Sequence, residues 1–123
     1  QFDTVMDVGG NRGSLIAHIV KKFGCKGILF DLPHEVEIAP AFLASQGIDT
    51  DAVQVIGGNA LEELPKGASA IVMKYFLSVF NVENARQVIT RCREALPPQG
   101  KVILLQTLVP PRGAPVEYPD GTI

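Results

Sequence analysis

Thr4-Val5-Met6-Asp7-Val8-Gly9-Gly10-Asn11-Arg12-Gly13-Ser14 is a short apolar run that reaches an acid and passes directly into glycines. Val5, Met6 and Val8 suit a buried strand, and the glycines suit a tight turn. Beyond them Leu15, Ile16, Ile19, Val20 and Phe23 recur at the spacing of one helix face. Strand, glycine turn and helix N-terminus in that order aim open backbone N–H groups at a ligand. Asp7 adds a carboxylate at the strand's carboxyl end, which would repel a bare pyrophosphate.

Working outward, periods of about 2 and about 3.6 alternate along the chain. The first helix starts near Gly13 or Ser14 and stops at Gly24, with Lys21 and Lys22 in its last turn. Gly27 to Phe30 is a second strand ending at Asp31. Leu32-Pro33-His34 turns the chain toward a helix running from Pro40 to Gly47. Ala52 to Ile56 is the third strand, followed by the Gly57-Gly58-Asn59 turn and a short helical turn at Leu61 to Leu64. The fourth strand is Ala68 to Met73, with the segment Tyr75 to Phe80 after it. The longest helix spans about Val82 to Leu96, Pro97-Pro98-Gln99-Gly100 breaks it, and Lys101 to Thr107 is strand five.

Alternating strands and helices, with strands that are continuous apolar runs, predict an α/β fold with a doubly wound, mostly parallel sheet covered on both faces. Ligands of such sheets bind beyond the carboxyl ends of the strands, where the winding reverses beside strand one. Residues 1–109 form the expected domain, and the proline- and glycine-rich 110–123 a loop or disordered tail.

Composition narrows the function classes. A chain of 123 residues, 46% hydrophobic, can bury the core of one domain but is small for an α/β enzyme. A formal net charge of −2 without a basic run gives no reason to expect nucleic acid or an anionic membrane. No apolar stretch approaches the roughly 20 residues of a membrane span, and no signal peptide is visible, so the expected location is cytoplasmic. Cys25 and Cys92 fit apolar patterns as reduced, packed thiols. No two pairs of His, Cys or carboxylate residues have metal-ligand spacing, so no metal is expected.

The glycine loop is neither of two familiar phosphate binders. Counted from Gly9, a dinucleotide fingerprint needs glycines where Asn11 and Ser14 stand, and a P-loop's Gly-Lys-Ser/Thr is absent. Asn11 and Asp7 therefore argue against a nicotinamide-dependent dehydrogenase. Asp7 favours a cationic ligand, such as one with an ammonium and a sulfonium. Asp31, at the end of strand two, is placed to accept two hydrogen bonds from a ribose diol. Adenosine joined to methionine suits both acids.

The segments VMDVGGNRGSL (5–15), GILFDLPHEV (27–36), VIGGNALEELP (55–65), AIVMKYFLSVFNVENARQVITRCREALPPQGKVILL (70–105) and LVPP (108–111) follow one another in a known order and spacing. The chain thereby resembles the S-adenosylmethionine-dependent O-methyltransferases of the plant and bacterial small-molecule type, among them caffeate, hydroxyneurosporene and polyketide-tailoring enzymes. The resemblance implies a Rossmann-like methyltransferase core acting on a small, aromatic, hydroxyl-bearing acceptor. It implies that Gly9 and Gly13 line the methionine part of the cofactor, with Asp7 and Gly10 beside them. Asp31 would hold the ribose, with Leu32 against the adenine. Asn59 stands where the family has an aspartate near the adenine amine, Ala60 where a larger apolar residue covers the ring, and Lys74 matches a lysine near the cofactor. The family also has two further strands and an N-terminal helical domain that dimerises. Neither is found here, so a fragment of a longer, homodimeric protein is expected.

Two departures bear on catalysis. The family's base is a histidine four residues after the lysine, in a His-Asp-Trp triplet; here those positions read Ser78-Val79-Phe80. The glutamate that orients that histidine corresponds to Gln106. A phenol with a pKa of about 10 is mostly neutral at pH 7, and a serine hydroxyl is too weak a base to ionise it. His18 reads as a helix-surface residue and His34 as a helix-start or cofactor-rim residue rather than a relocated base. The alternative to a methyltransferase is thus a relative that binds the cofactor without methylating.

Overall fold

Val5, Met6, Asp7 and Val8 are all buried, because helices cover both faces of the sheet in which their strand is central. The computed structural model describes residues 3–74, 76 and 80–105. Among them the elements are β1 (Thr4–Val8), α1 (Ser14–Phe23), β2 (Lys26–Asp31), α2 (Ala39–Ser45), β3 (Val53–Gly57), β4 (Ala70–Lys74), α3 (Val82–Ala95) and β5 (Lys101–Leu105). The sheet order is β3-β2-β1-β4-β5, with every pairing parallel. The chain winds outward from β1 to β3, then returns to β1's other side to lay down β4, so the winding reverses between β1 and β4. This is the predicted α/β architecture.

Side-chain alternation along the strands sorts the core into two layers. Val5, Leu29, Val53 and Val72 pack with Ile16, Val20 and Leu43 of α1 and α2. Met6, Ile28, Phe30, Ile71 and Met73 pack on the other face with Val88, Cys92 and Ala95 of α3. Asp7 shares the face of Val5, toward α1. Helix α1 begins without a side-chain cap and with no acid in its first turn, leaving its N-terminal N–H groups open. Its end is closed by Gly24 in the left-handed region, whose N–H donates to Val20 O, with Lys21 and Lys22 matching the dipole.

Helix α3 is capped by Asn81, whose Oδ1 accepts from Asn84 N at 2.8 Å. Replacing Asn81 with Ala is expected to cost about 1 kcal/mol, and Asn81→Asp to restore it, in urea unfolding of the full-length protein. An Ala variant as stable as the parent would show the cap to be dispensable.

Several boundaries differ from the sequence reading. β4 starts at Ala70, not Ala68, because Ser69 N and Ser69 Oγ both donate to Thr4 O before the ladder with β1 begins at Val5↔Ala70. The short helical turn expected at Leu61 to Leu64 begins earlier, at Asn59: Asn59 O accepts from Glu62 N and Glu63 N, and Asn59 Oδ1 from Leu61 N. Helix α3 stops one residue early, since Leu96 precedes Pro97 and is extended at ψ 151. The segment Tyr75 to Phe80, apart from Phe76 and Phe80, lies outside the described residues, as do Gln106, Thr107 and the expected tail.

β5 is an edge among the described residues, hydrogen-bonded only to β4. Its Val102, Ile103, Leu104 and Leu105 are 36% to 46% exposed. A groove of about 520 Å³ runs between Leu15, Ile19, Phe23 and Cys25 on one side and Ile103 and Leu105 on the other. It has no acid or base among its walls, so it has nothing to orient a polar ligand.

Candidate functional site

The carboxyl ends of β1 to β4 bring Asp7, the glycine loop, Asp31, Asn59 and Lys74 to one edge of the sheet, as the register Asp7↔Leu29, Asp7↔Val72 and Asp31↔Gly57 requires. Gly9 N donates to Phe30 O at 2.7 Å and Gly10 N to the same oxygen at 3.4 Å, folding the loop over the end of β2. Asp31 secures that fold: its Oδ2 accepts from Asn11 N at 3.0 Å and its Oδ1 from Leu32 N at 2.8 Å. Asn11 sits at φ 55, a left-handed conformation that asparagine tolerates. Its Nδ2 donates to Glu35 Oε2, so the glycine loop and the loop after β2 are tied twice.

Two glycines are obligatory here. Gly9 has φ +80, and a Cβ on it would overlap the Phe76 ring, with Cγ and Cε1 both 2.8 Å away. A Cβ on Gly10 would fall 2.6 Å from Asp7 Oδ2. Gly13, at φ +101, is the N-cap of α1 and is buried.

Asp7 carries the main electrostatic signal. It is 2% exposed, and among the described residues its Oδ2 has no hydrogen-bond partner. Burial, then the neighbouring Asp31 charge, push its pKa up to about 7, against a smaller downward pull from Lys74. An unmatched buried carboxylate oxygen costs stability. A ligand that brought a cationic donor to it would supply the missing hydrogen bond and favour the charged form.

Beside the loop lies a cavity of about 290 Å³, whose walls include Asp31, Leu32, Asn59, Ala60, Phe76 and Phe80. That is at the lower end of the usual range for small-molecule sites, about 300–1,000 Å³, and suits the nucleoside part of a ligand. Leu32 is exposed on its rim and Ala60 is buried in its floor. Asn59 is there too, but its Oδ1, the atom an adenine amine would approach, already accepts from Leu61 N at 2.9 Å. Phe80 stands at the last position of the triplet named in the sequence, whereas Phe76 carries no sequence signal of its own. They meet edge to face, with centroids 5.0 Å apart at 76°.

The other candidates are less closely engaged. His18 is exposed on α1. His34 is 69% exposed and its Nε2 is 3.3 Å from Glu35 Oε1. Arg12 lies 4.7 Å over the Phe42 ring, which holds its guanidinium against α2. Lys74, exposed at the end of β4, acts on Asp7 through its charge. Cys25 and Cys92 are both free, and burial pushes the Cys92 thiol up to about 11, so it packs rather than reacts. Ser78 and Gln106 lie outside the described residues.

The donor set fits S-adenosylmethionine: an orphaned buried carboxylate for an ammonium, a second carboxylate for a ribose diol, bare glycine backbone between them and an apolar cavity alongside. Comparison with known proteins points the same way. A family described as an O-methyltransferase domain matches residues 1–118. Caffeic acid 3-O-methyltransferase of Catharanthus roseus is 40% identical over 121 residues, 98% of this chain and 29% of that enzyme. Mitomycin 7-O-methyltransferase MmcR superposes with a TM-score of 0.85 at 28% identity, over 92% of this chain and 33% of that one. The O-methyltransferase NcsB1 of neocarzinostatin biosynthesis, solved with S-adenosylmethionine and 2-hydroxy-5-methyl naphthoic acid, gives a TM-score of 0.78 at 27% identity, over 83% of this chain and 31% of that one. The chain thus spans about a third of the length of the relatives it matches.

Proposed function

Since the chain belongs to the O-methyltransferase family, we propose that it is the cofactor-binding core of an S-adenosylmethionine-dependent O-methyltransferase acting on a small, aromatic, hydroxyl-bearing molecule. The observation that carries this reading is the unpartnered, buried Asp7 Oδ2 beneath a glycine loop that Asp31 ties down. Relatives named for caffeic acid and a neighbour solved with a hydroxynaphthoic acid support an aromatic acceptor.

In this reading Asp7 accepts from the cofactor's ammonium, Gly9 and Gly13 line the methionine part with Gly10 beside them, and Asp31 accepts from the ribose hydroxyls. Leu32 and Ala60 border the adenine, Asn59 stands at its edge, and Lys74 moderates the acidic field. When bound, S-adenosylmethionine supplies an electrophilic methyl group on a sulfonium. The chain's own contribution is to hold that group in one orientation, and alignment with an acceptor oxygen can lower a barrier by several kcal/mol. We assign the core to residues 1–109, with 110–123 outside it. A cytoplasmic location suits the two free thiols. A homodimer formed through a separate helical domain completes the proposal.

Calorimetric titration of the full-length protein tests it: S-adenosylhomocysteine should bind, and a nicotinamide dinucleotide should not. Asp31→Ala should weaken S-adenosylhomocysteine by about 10- to 100-fold, because hydrogen bonds to a charged acceptor are worth about 1.5–3 kcal/mol each. Unweakened binding by that variant would remove Asp31 from the site.

A further inference from the structure

Among the described residues Phe76 is the aromatic side chain that touches both halves of the site. Its ring presses on the bare Cα of Gly9, where a Cβ would overlap it, and the same ring walls the cavity shared by Asp31 and Ala60. Phe80 holds it from the side by an edge-to-face contact at 5.0 Å, which limits how far the ring can swing. The ring therefore stands at the junction between the glycine loop and the nucleoside cavity.

The chemistry of that junction follows from the covalent structure of S-adenosylmethionine, on the reading proposed above. Its sulfur joins the ribose to the amino-acid part, so a ligand with ribose at Asp31 and ammonium at Asp7 places its sulfur between them. A sulfonium carries a positive charge but no N–H or O–H, so no hydrogen-bond acceptor can single it out. What remains is a charge or a π face, and an aromatic face attracts a cation held over it. Asp7 is buried on the α1 side of the sheet and matched to the ammonium, and Asp31 is matched to the ribose, so among the described residues the aromatic ring is the group left to face the sulfur.

We infer that Phe76 is a specificity-determining residue that favours the cationic sulfonium cofactor over its neutral thioether product. The ring adds affinity to the charged form alone, so once the methyl group has left, the product is held less tightly and exchanges more readily.

The test compares S-adenosylmethionine with S-adenosylhomocysteine by calorimetry on the full-length protein, its Phe76→Leu variant, which keeps the apolar bulk, and its Phe76→Tyr variant, which keeps the ring. Phe76→Leu should weaken S-adenosylmethionine by roughly 5-fold while S-adenosylhomocysteine moves by less than about 2-fold. Phe76→Tyr should preserve the parent's preference. Equal weakening of both ligands by Phe76→Leu would reduce the ring to an apolar wall and overturn the inference while leaving the cofactor assignment intact. No binding of either ligand by the parent protein would overturn both. A thermal unfolding midpoint shared by parent and variants excludes misfolding as the cause of a selective loss.

Discussion

Asp7→Asn should make the ligand-free protein more stable and, in the same molecule, weaken its hold on the cofactor. Folding moves this carboxyl from an ordinary pKa of 3.8 to about 7, chiefly by burial. Between those two values the folded chain keeps a proton that the unfolded chain has lost. Relative stability is therefore greatest below the unfolded value, falls as pH rises across the window, and stays depressed above about 7. At about 1.36 kcal/mol per unit the shift sets an upper limit on the order of 4 kcal/mol, and relaxation of the surroundings brings the expected gain for Asp7→Asn at pH 8 to about 2 kcal/mol. Urea unfolding at pH 5 and pH 8 measures it: the gap between variant and parent should open with pH.

Binding should move the other way. Removing one partner of a buried charged pair commonly costs at least about 2 kcal/mol, which is roughly 30-fold in affinity. The parent's affinity for S-adenosylhomocysteine should rise as pH passes through about 7, whereas the variant's should be flat. A variant destabilised at pH 8, or one that binds as tightly as the parent, would show that Asp7 has a structural partner and no ligand to serve.

The contrast between Asp7 and Phe76 shows what kind of information the sequence carries. Asp7 was legible because a carboxylate between an apolar strand and a glycine turn is chemically out of place, and the wound topology then leaves it no position except the strand ends. Continuous apolar runs such as Ile28 to Phe30 and Ile71 to Met73 made the two-sided sheet legible for the same reason. Phe76 carried no such mark: in an apolar run an aromatic residue reads as core, and only its position over Gly9 reveals a second role. The tie between Asn11 and Glu35 was hidden too, because it joins two loops 24 positions apart through exposed polar atoms. Local hydrogen bonding decided the remaining differences. Ser69 delays β4 and Asn59 starts the following turn at its own position, effects in which a single side chain moves an element's boundary.

Restoring the family's base should have the largest effect of all on turnover. On the proposed reading, with Ser78 at the position of the family's histidine and Gln106 at that of its orienting glutamate, a phenolic acceptor would lose its proton without that imidazole. Its rate of methylation should then follow phenolate formation, climbing with pH toward the phenol pKa of about 10. Ser78→His combined with Gln106→Glu in the full-length protein should raise turnover at pH 7 by about 10²- to 10⁴-fold. It should also shift the rising limb of the pH profile toward the histidine range near 6.5. Each single variant should gain less than the pair, since a histidine without its carboxylate is not held in one tautomer, and the carboxylate alone has nothing to orient. S-adenosylhomocysteine affinity should stay within about 2-fold of the parent's, because both substitutions act on the acceptor's proton and not on the cofactor. A parent that already turns over a phenol at pH 7 with a flat profile would place the base elsewhere in the full-length protein. No turnover by the parent or the double variant, with cofactor binding intact, would favour the reading in which the fold keeps its ligand and has given up methyl transfer.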